Sequence, residues 1–319
     1  MTNRPIRLRK KGVSTLVRET SMLPSDLICP IFVDENAKEP IAIPSLPGFY
    51  RHTVETAVSE AEEVTELGIP AVIIFGVPHY KDETGSSALS GIVQDTISAI
   101  KSNVPAATVI ADVCLCEYTS HGHCGIIDER GTILNGPTLE MLQQVATSYA
   151  RAGVDIVAPS GMIDGMVGAI RTQLNEEGHD GVVLMPYAAK YCSSFYAPFR
   201  DAVDSGCAFG DRSTHQMDPA NTDEAVREVR LDLEEGADII MIKPALPYLD
   251  IIYRIKQTFG VPVAAYSVSG EYAMLRAAIG NGDLTDDAIY ETLLSIRRAG
   301  ADMIVTYFAK EAAKGLASE

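Results

Sequence analysis

One short segment, residues 112–125, concentrates side chains that bind metal ions. Its sequence, DVCLCEYTSHGHCG, carries the thiols of Cys114, Cys116 and Cys124 and two imidazoles within eleven residues. Thiolates are soft ligands that suit Zn²⁺, and three protein ligands leave a fourth position open for catalysis. We therefore predict a catalytic zinc site on the cysteines, with the two histidines orienting the loop. The alternative is a set of small buried residues beside surface histidines.

Two lysines end apolar stretches and are candidate nucleophiles. Lys190 closes the run VVLMPYAAK and Lys243 closes the run IIMIK. Burial and mutual repulsion lower the pKa of such ammonium groups from about 10.4 towards neutrality. Because a neutral amine attacks a carbonyl carbon, the pair predicts Schiff-base chemistry. Either lysine alone is equally compatible with a snorkelling or salt-bridged side chain.

The loop over residues 191–221 combines aromatic and polar side chains. Arg200 and Arg212 can bind carboxylates through paired hydrogen bonds, and Phe199 can help to close a pocket against water. Asp211 and Gln216 lie in the same loop. Taken alone, the loop is more simply explained as a solvated loop with scattered charges. Three isolated cysteines are predicted to be inert: Cys29, Cys192 and Cys207.

A repeated pattern along the chain predicts the scaffold that positions these residues. A polar helix, a glycine and an apolar run, often preceded by Asp, recur as ELGIPAVIIF, AGVDIVA, EGADIIMI and AGADMIV. The glycine ends a helix in the left-handed conformation, and the apolar run is typical of a strand buried on both faces. The pattern therefore predicts helix-to-strand connections of a parallel sheet.

Four further segments complete eight predicted strands: Leu27–Val33, Thr108–Cys114, Gly181–Met185 and Val261–Tyr266. Amphipathic spacing predicts helices over Val54–Leu67, Thr138–Ala152, Met162–Glu177, Asp223–Glu235 and Leu249–Thr258. Eight such units without a repeated dinucleotide-binding motif favour a closed (β/α)8 TIM barrel over a doubly wound sheet. We assign residues 1–24 to an extended N-terminal arm and residues 25–319 to the barrel.

Catalytic groups of such barrels lie at the carboxyl ends of the strands. The chemically distinctive residues of this chain follow predicted strands: Cys114, Ser160, Lys190, Lys243, Tyr266, Ser269 and Tyr307. The barrel thus predicts that they share one edge of the sheet.

The charge of the chain argues against nucleic acid and anionic membranes as partners. Its 26 basic and 43 acidic residues give a net charge of −17. The basic residues Arg4, Arg7, Arg9, Lys10, Lys11 and Arg18 precede this acidic body. No apolar run approaches the roughly 20 residues of a membrane span, and six cysteines without a signal peptide indicate a reducing cytoplasm.

Two motifs carry a family resemblance. The runs MIKPALPYLD at 241–250 and YSVSGEY at 266–272, together with the cysteine segment, closely resemble porphobilinogen synthase, the 5-aminolevulinate dehydratase family. The resemblance implies condensation of two 5-aminolevulinate molecules to porphobilinogen with loss of two waters, a step of tetrapyrrole and heme biosynthesis. Because all three cysteines are present, it also implies the zinc-dependent type.

The resemblance further implies roles for individual residues. Lys243 would form the Schiff base with the first substrate, and Lys190 would bind the second. The first carboxylate would be held by Ser269 and Tyr307. The second would be held by Arg200, Arg212 and Gln216, and the other matching pocket positions are Asp112, Ser160, Phe199 and Tyr266.

Assembly and regulation are implied as well. The N-terminal arm would build a homo-octamer, although a disordered solvated tail is the simpler alternative. Glu228 would bind an allosteric Mg²⁺, although a helix-surface carboxylate is usually just solvated. His215 and Ser267 depart from the common pattern, where Tyr and a larger amide are frequent.

Two other functions fit parts of the pattern. A lysine-dependent aldolase on the same barrel needs only one reactive lysine and uses the cysteine cluster structurally. A zinc-binding assembly scaffold needs no lysine with a lowered pKa at all.

Overall fold

The computed structural model describes residues 5–206, 208–210 and 212–316. Arg4, Cys207 and Asp211 lie outside this part. The described chain is an α/β fold in which a parallel sheet curls on itself and helices cover its outer surface. The parallel sheet of an α/β fold, which the repeated pattern predicts, is confirmed.

Eleven strands are assigned in the described part: β1 Leu27–Asp34, β2 Ile41–Ala42, β3 Tyr50–His52, β4 Ala71–Val77, β5 Thr108–Val113, β6 Ile156–Pro159, β7 Val183–Leu184, β8 Ala189–Lys190, β9 Ile240–Lys243, β10 Val263–Ser267 and β11 Met303–Thr306. Neighbouring strands follow the order β7-β6-β5-β4-β1-β11-β10-β9-β8. Every pairing along this path is parallel. β2 and β3 form an antiparallel hairpin beside β1.

The helices of the described chain are α1 Val13–Leu16, α2 Val54–Glu66, α3 Ile92–Asn103, α4 Asn135–Arg151, α5 Met166–Glu176, α6 Ala197–Ala202, α7 Asp223–Glu234, α8 Leu249–Phe259, α9 Ser269–Gly280, α10 Asp287–Ala299 and α11 Ala309–Leu316. α5 begins four residues later than predicted, because Met162 and Gly165 adopt positive φ angles of 55° and 78°. None of the described helices combines the length and apolarity needed to cross a bilayer.

The fifth predicted strand, Gly181–Met185, is observed as β7, and the apolar run that continues from it to Lys190 ends in a separate strand, β8. β7 pairs with β6, whereas β8 pairs with β9. The intervening residues bond to both neighbours, since Met185 N donates to Val157 O at 2.9 Å and Pro186 O accepts from Met241 N at 3.0 Å. Pro186 has no N–H to donate, which explains why regular strand geometry stops there.

The aspartates of the repeated pattern fix the register between strands. Each donates its N–H to a carbonyl of the neighbouring strand, and its carboxylate accepts the N–H of the same residue at 2.8 Å. The pairs are Asp155 with Val109, Asp238 with Leu184 and Asp302 with Val263. Two of these carboxylates also bind a lysine of the preceding helices, at 2.8 Å for Lys101 and 2.6 Å for Lys256. The repeated Asp therefore ties one βα unit to the next.

Replacing Asp302 by Ala should lower the free energy of unfolding by about 1–3 kcal/mol, because the Val263 N–H loses its acceptor and the Lys256 ammonium keeps only the Val261 carbonyl. Urea unfolding followed by circular dichroism measures the change. Asp283→Ala, at an exposed position, is the control and should shift the value by no more than about 0.5 kcal/mol. Equal effects of both substitutions would contradict the assigned role of Asp302.

Candidate active site

Lys190 and Lys243 lie directly opposite each other at the ends of β8 and β9, where they are paired in register. Both side chains are only 5% exposed. The ammonium group of Lys190 donates to the Ser160 carbonyl at 2.5 Å. The structure thus brings the two predicted nucleophiles together at the carboxyl edge of the sheet.

Aromatic rings surround the amine of Lys243. Its Nζ lies 4.2 Å from the ring centre of Tyr266, 4.9 Å from Phe199 and 5.0 Å from Tyr187. Burial, followed by the charge of Lys190, lowers the pKa of Lys243 to about 7. At neutral pH a large fraction of this amine is therefore uncharged and nucleophilic.

A carboxyl group lies beside the lysines. Asp112, at the end of β5, accepts a hydrogen bond of 3.0 Å from Ser160 Oγ. Burial and the nearby Glu117 raise the pKa of Asp112 to about 7, while the two lysines oppose the shift. Asp112 and Ser160 both line the small cavity that contains Lys190 and Lys243. Its volume is ≈ 10 Å³, about the room that one water molecule needs.

The three predicted metal ligands form one cluster. The sulfur atoms of Cys114, Cys116 and Cys124 lie within 4.8 Å of one another, and all three residues are buried. Tetrahedral binding at Zn–S distances of about 2.3 Å places sulfurs roughly 3.8 Å apart, so the cluster has the size and the donor chemistry for a zinc ion. Cys116 also lines the lysine cavity, which places the thiols next to the amines.

Two buried residues of the site were not predicted. Glu117 is 3% exposed, and its Oε2 lies 3.3 Å from Cys116 Sγ, which donates to it. Tyr187 is fully buried, and its ring centre lies 5.4 Å from Lys190 Nζ and 5.0 Å from Lys243 Nζ. Glu117 follows a predicted ligand directly in sequence, which was an available signal. Tyr187 is hidden inside an apolar run, so nothing in the sequence distinguished it from core.

The two residues expected to hold the first carboxylate are buried near the aromatic rings. Tyr307 shares a hydrogen bond of 3.2 Å with the hydroxyl of Tyr266. Ser269 Oγ accepts from the Phe199 N–H at 3.0 Å and donates to the Phe195 carbonyl at 3.4 Å. Ser269 therefore connects α9 to the segment that carries Phe199.

The three residues expected to hold the second carboxylate are placed differently. Arg212 is 3% exposed, lines the lysine cavity and donates to the carbonyls of Ser205 and Gly122 at 2.6 and 3.0 Å. Arg200 and Gln216 do not line that cavity. Gln216 is 4% exposed, and its side-chain amide has no hydrogen-bond partner among the described residues.

Gln216 borders a larger cavity of ≈ 740 Å³ on the neighbouring surface. Glu228 of α7 lines the same cavity and is half-buried. Burial, followed by the charges of Asp164 and Glu224, raises the pKa of Glu228. His215, which differs from the common family pattern, also lines this cavity. Ser267 is instead buried at the end of β10. Glu228 is thus separate from the lysine cavity.

The fold and the site define a class: a parallel α/β enzyme with paired buried lysines beside a three-thiol cluster. The family profile described as "Delta-aminolevulinic acid dehydratase" matches residues 2–315. The chain belongs to this family, which confirms the resemblance carried by its motifs, and it is an enzyme of tetrapyrrole biosynthesis.

Similar proteins cover almost the whole chain. The dehydratase of Archaeoglobus fulgidus is 54% identical over 312 residues, 97% of each chain. That of Bacillus subtilis is 50% identical over 319 residues, 99% of this chain and 98% of the relative. The porphobilinogen synthase of Toxoplasma gondii, solved with its product porphobilinogen, superposes with a TM-score of 0.97 at 43% identity and covers 100% of this chain and 92% of its own.

The lowered pKa of Lys243 can be tested without substrate. Reductive methylation of Lys243 should follow the neutral amine and rise through a midpoint near pH 7, because burial and Lys190 disfavour the ammonium form. Peptide mass spectrometry over a pH series measures the rate. The exposed lysines of the same chain provide the internal reference. A Lys243 profile that coincides with theirs would show that its pKa is not lowered.

Proposed function

We propose that the chain condenses two molecules of 5-aminolevulinate to porphobilinogen, with loss of two waters, through a Schiff base on Lys243. The observation that carries this proposal is the in-register pairing of two buried lysines next to three clustered thiols. Two amine sites in one compartment allow each of the two ketone substrates to be bound as an imine, and the lysine pair supplies them.

In the first step the neutral amine of Lys243 attacks the ketone carbon of one substrate, and a water leaves as the imine forms. The imine withdraws electrons, so an adjacent carbon can lose a proton and attack the second molecule. Lys190 binds that second molecule, also as an imine, with its amine aimed by the Ser160 carbonyl. Asp112 lines the same cavity as both lysines, and its ionised carboxylate favours the cationic iminium forms.

We assign a zinc ion to Cys114, Cys116 and Cys124 and propose a zinc-dependent enzyme, and the clustering of the three buried sulfurs supports this proposal. When bound there, zinc supplies Lewis-acid polarisation of an oxygen or a bound hydroxide. The thiols border the lysine cavity through Cys116, so such a group would lie beside the second substrate. The buried carboxylate of Glu117 lies 3.3 Å from Cys116 Sγ and would offer an additional oxygen ligand beside the three thiols.

The substrate carboxylates are assigned to two sets of residues. Ser269 and Tyr307 hold the first carboxylate from the side of α9 and β11. The second is assigned to Arg200, Arg212 and Gln216, and the position of Arg212 in the lining of the lysine cavity supports this assignment. Phe199 and Tyr266 exclude water from the Lys243 imine. Because the lysine cavity has room for about one water, side chains that line it must move when substrate enters.

The remaining expectations concern closure, assembly and regulation. We propose that the curled sheet is a closed (β/α)8 barrel, which is supported by the hydrogen bonds of residues 185–186 to β6 and β9. The exposed apolar side chains of Ile6, Leu8 and Leu16 support arm-mediated assembly, for which we keep the homo-octamer as the expected state. Magnesium at Glu228 and a cytoplasmic location stay predictions.

Borohydride trapping tests the Schiff base. With 5-aminolevulinate present, reduction should fix substrate mass on Lys243 and abolish activity, because a secondary amine cannot release the substrate. Peptide mass spectrometry locates the adduct. Lys243→Met should remove both adduct and turnover, whereas Lys38→Met, at an exposed position, should change neither. Continued turnover without any adduct would falsify the imine role.

Replacing the second lysine separates the proposal from an aldolase. Lys190→Met should lower turnover by at least about 10³-fold, because the enzyme loses the lysine amine that binds the second substrate molecule. The borohydride adduct on Lys243 should persist in this variant. A lysine-dependent aldolase with one reactive amine would survive the change, so near-normal turnover would favour that alternative.

Metal content tests the cysteine assignment. Chelation should release one zinc per chain together with activity, and added zinc should restore both. Cys124→Ser should weaken zinc binding by about 10-fold or more, because a hydroxyl replaces a thiolate ligand. Cys29→Ala, which removes a buried thiol outside the cluster, is the control and should keep its zinc. Full turnover of metal-free enzyme would exclude a catalytic metal.

A further inference from the structure

Helix α6 covers the lysines but is too short to hold itself in place. It comprises six residues, and isolated helices below about 12 residues are marginal in water. It carries Phe199, whose ring centre lies 4.9 Å from Lys243 Nζ, and Arg200. The position of α6 must therefore be set by residues outside it.

One guanidinium group binds two carbonyls at the C-terminal end of α6. Arg51 of β3 donates from Nε to the Ala202 carbonyl and from Nη2 to the Asp201 carbonyl, both at 2.7 Å. These carbonyls lie at the helix C-terminus, where the last carbonyls lack helical partners and the dipole is negative. A planar guanidinium with several donors suits two adjacent acceptors better than a lysine would.

Arg51 is itself held in place. Its Nη1 lies 3.5 Å from the Asp34 carboxylate, which is 5% exposed at the end of β1. β3 pairs with β1, so the guanidinium is fixed by the central part of the sheet. The side chain of Arg51 is 23% exposed, and its contacts join the sheet to α6.

The same hairpin also reaches the beginning of α6 and the carboxylate-binding side of the site. Ser45 Oγ donates to the Pro198 carbonyl at 3.1 Å. Phe49 packs edge-on against Tyr307, with ring centres 5.1 Å apart. The segment 41–52, which we call the hairpin segment, therefore contacts both ends of α6 and one residue assigned to substrate binding.

We propose that Arg51 is a positioning residue of the reaction: it seats α6 so that Phe199 covers Lys243 and Arg200 faces the second substrate. This inference rests on the proposed function, because it uses the roles assigned there to Lys243 and Arg200. Arg51 touches no reacting atom in this arrangement. Without it, substrate binding must first order α6, and that ordering weakens apparent affinity more than it slows chemistry.

The test is steady-state kinetics of Arg51→Met with 5-aminolevulinate. KM should rise about tenfold while kcat falls less than about threefold, since misplacement of α6 mainly affects binding. Borohydride should still trap substrate on Lys243. The rise in KM should be smaller in Arg51→Lys than in Arg51→Met, because one ammonium can donate to one of the two carbonyls.

Arg297→Met is the matched control. Arg297 belongs to α10, and its side chain is 29% exposed. It donates to the Ala301 carbonyl at 2.5 Å and lies 3.5 Å from the Asp26 carboxylate. Neither of these two partners belongs to α6. Both Met variants should lose similar thermal stability, but only Arg51→Met should change KM. If Arg51→Met does not fold, Ser45→Ala should give a smaller rise in KM in the same direction.

The outcomes separate this inference from the proposed function. Absence of turnover and of any lysine adduct in the unsubstituted enzyme would overturn the proposed function. An active enzyme whose KM is unchanged in Arg51→Met, or changed equally in Arg297→Met, would overturn the positioning role alone. An unchanged KM in a folded Ser45→Ala variant would do the same if Arg51→Met is unfolded.

Discussion

The pairing of two amines at adjacent strand ends is the constraint on which the rest of the site depends. Lys190 and Lys243 are opposite each other in register and 5% exposed, so water cannot screen their repulsion. The lower-energy state has at least one amine neutral, as the lowered pKa of Lys243 reflects. The surrounding structure must be rigid to keep the two amines buried side by side, because any relaxation would return them to solvent and to the ammonium form.

The sheet provides that rigidity through register. Three aspartates each form hydrogen bonds with both the N–H and the carbonyl of a residue on a neighbouring strand. They are Asp155, Asp238 and Asp302. A shift of one residue would break these bonds and turn each side chain to the opposite face. The same register places Asp112, Ser160 and the thiols at one edge with the lysines. The positions of the charged groups at that edge are therefore set by backbone pairing at the beginnings of the strands.

Much of this was predictable from residues close in sequence. The Gly-x-Asp pattern predicted buried parallel strands, and the strand ends predicted which residues would meet. Local patterns did not reveal the split at Pro186 or the later start of α5, which depend on a missing N–H and on positive φ angles. They also missed Arg51, which contacts α6, and Tyr187, which contacts Lys243, because both contacts join segments far apart in sequence.

The central claim is that the lysines and the thiols serve one compartment. The most direct measurement is a crystal structure of the enzyme reduced with borohydride in the presence of 5-aminolevulinate, with diffraction data collected at the zinc absorption edge. The account predicts continuous density from Lys243 Nζ to a substrate carbon and an anomalous peak among the Sγ atoms of Cys114, Cys116 and Cys124. An unmodified Lys243, or a zinc peak at a different place, would contradict it.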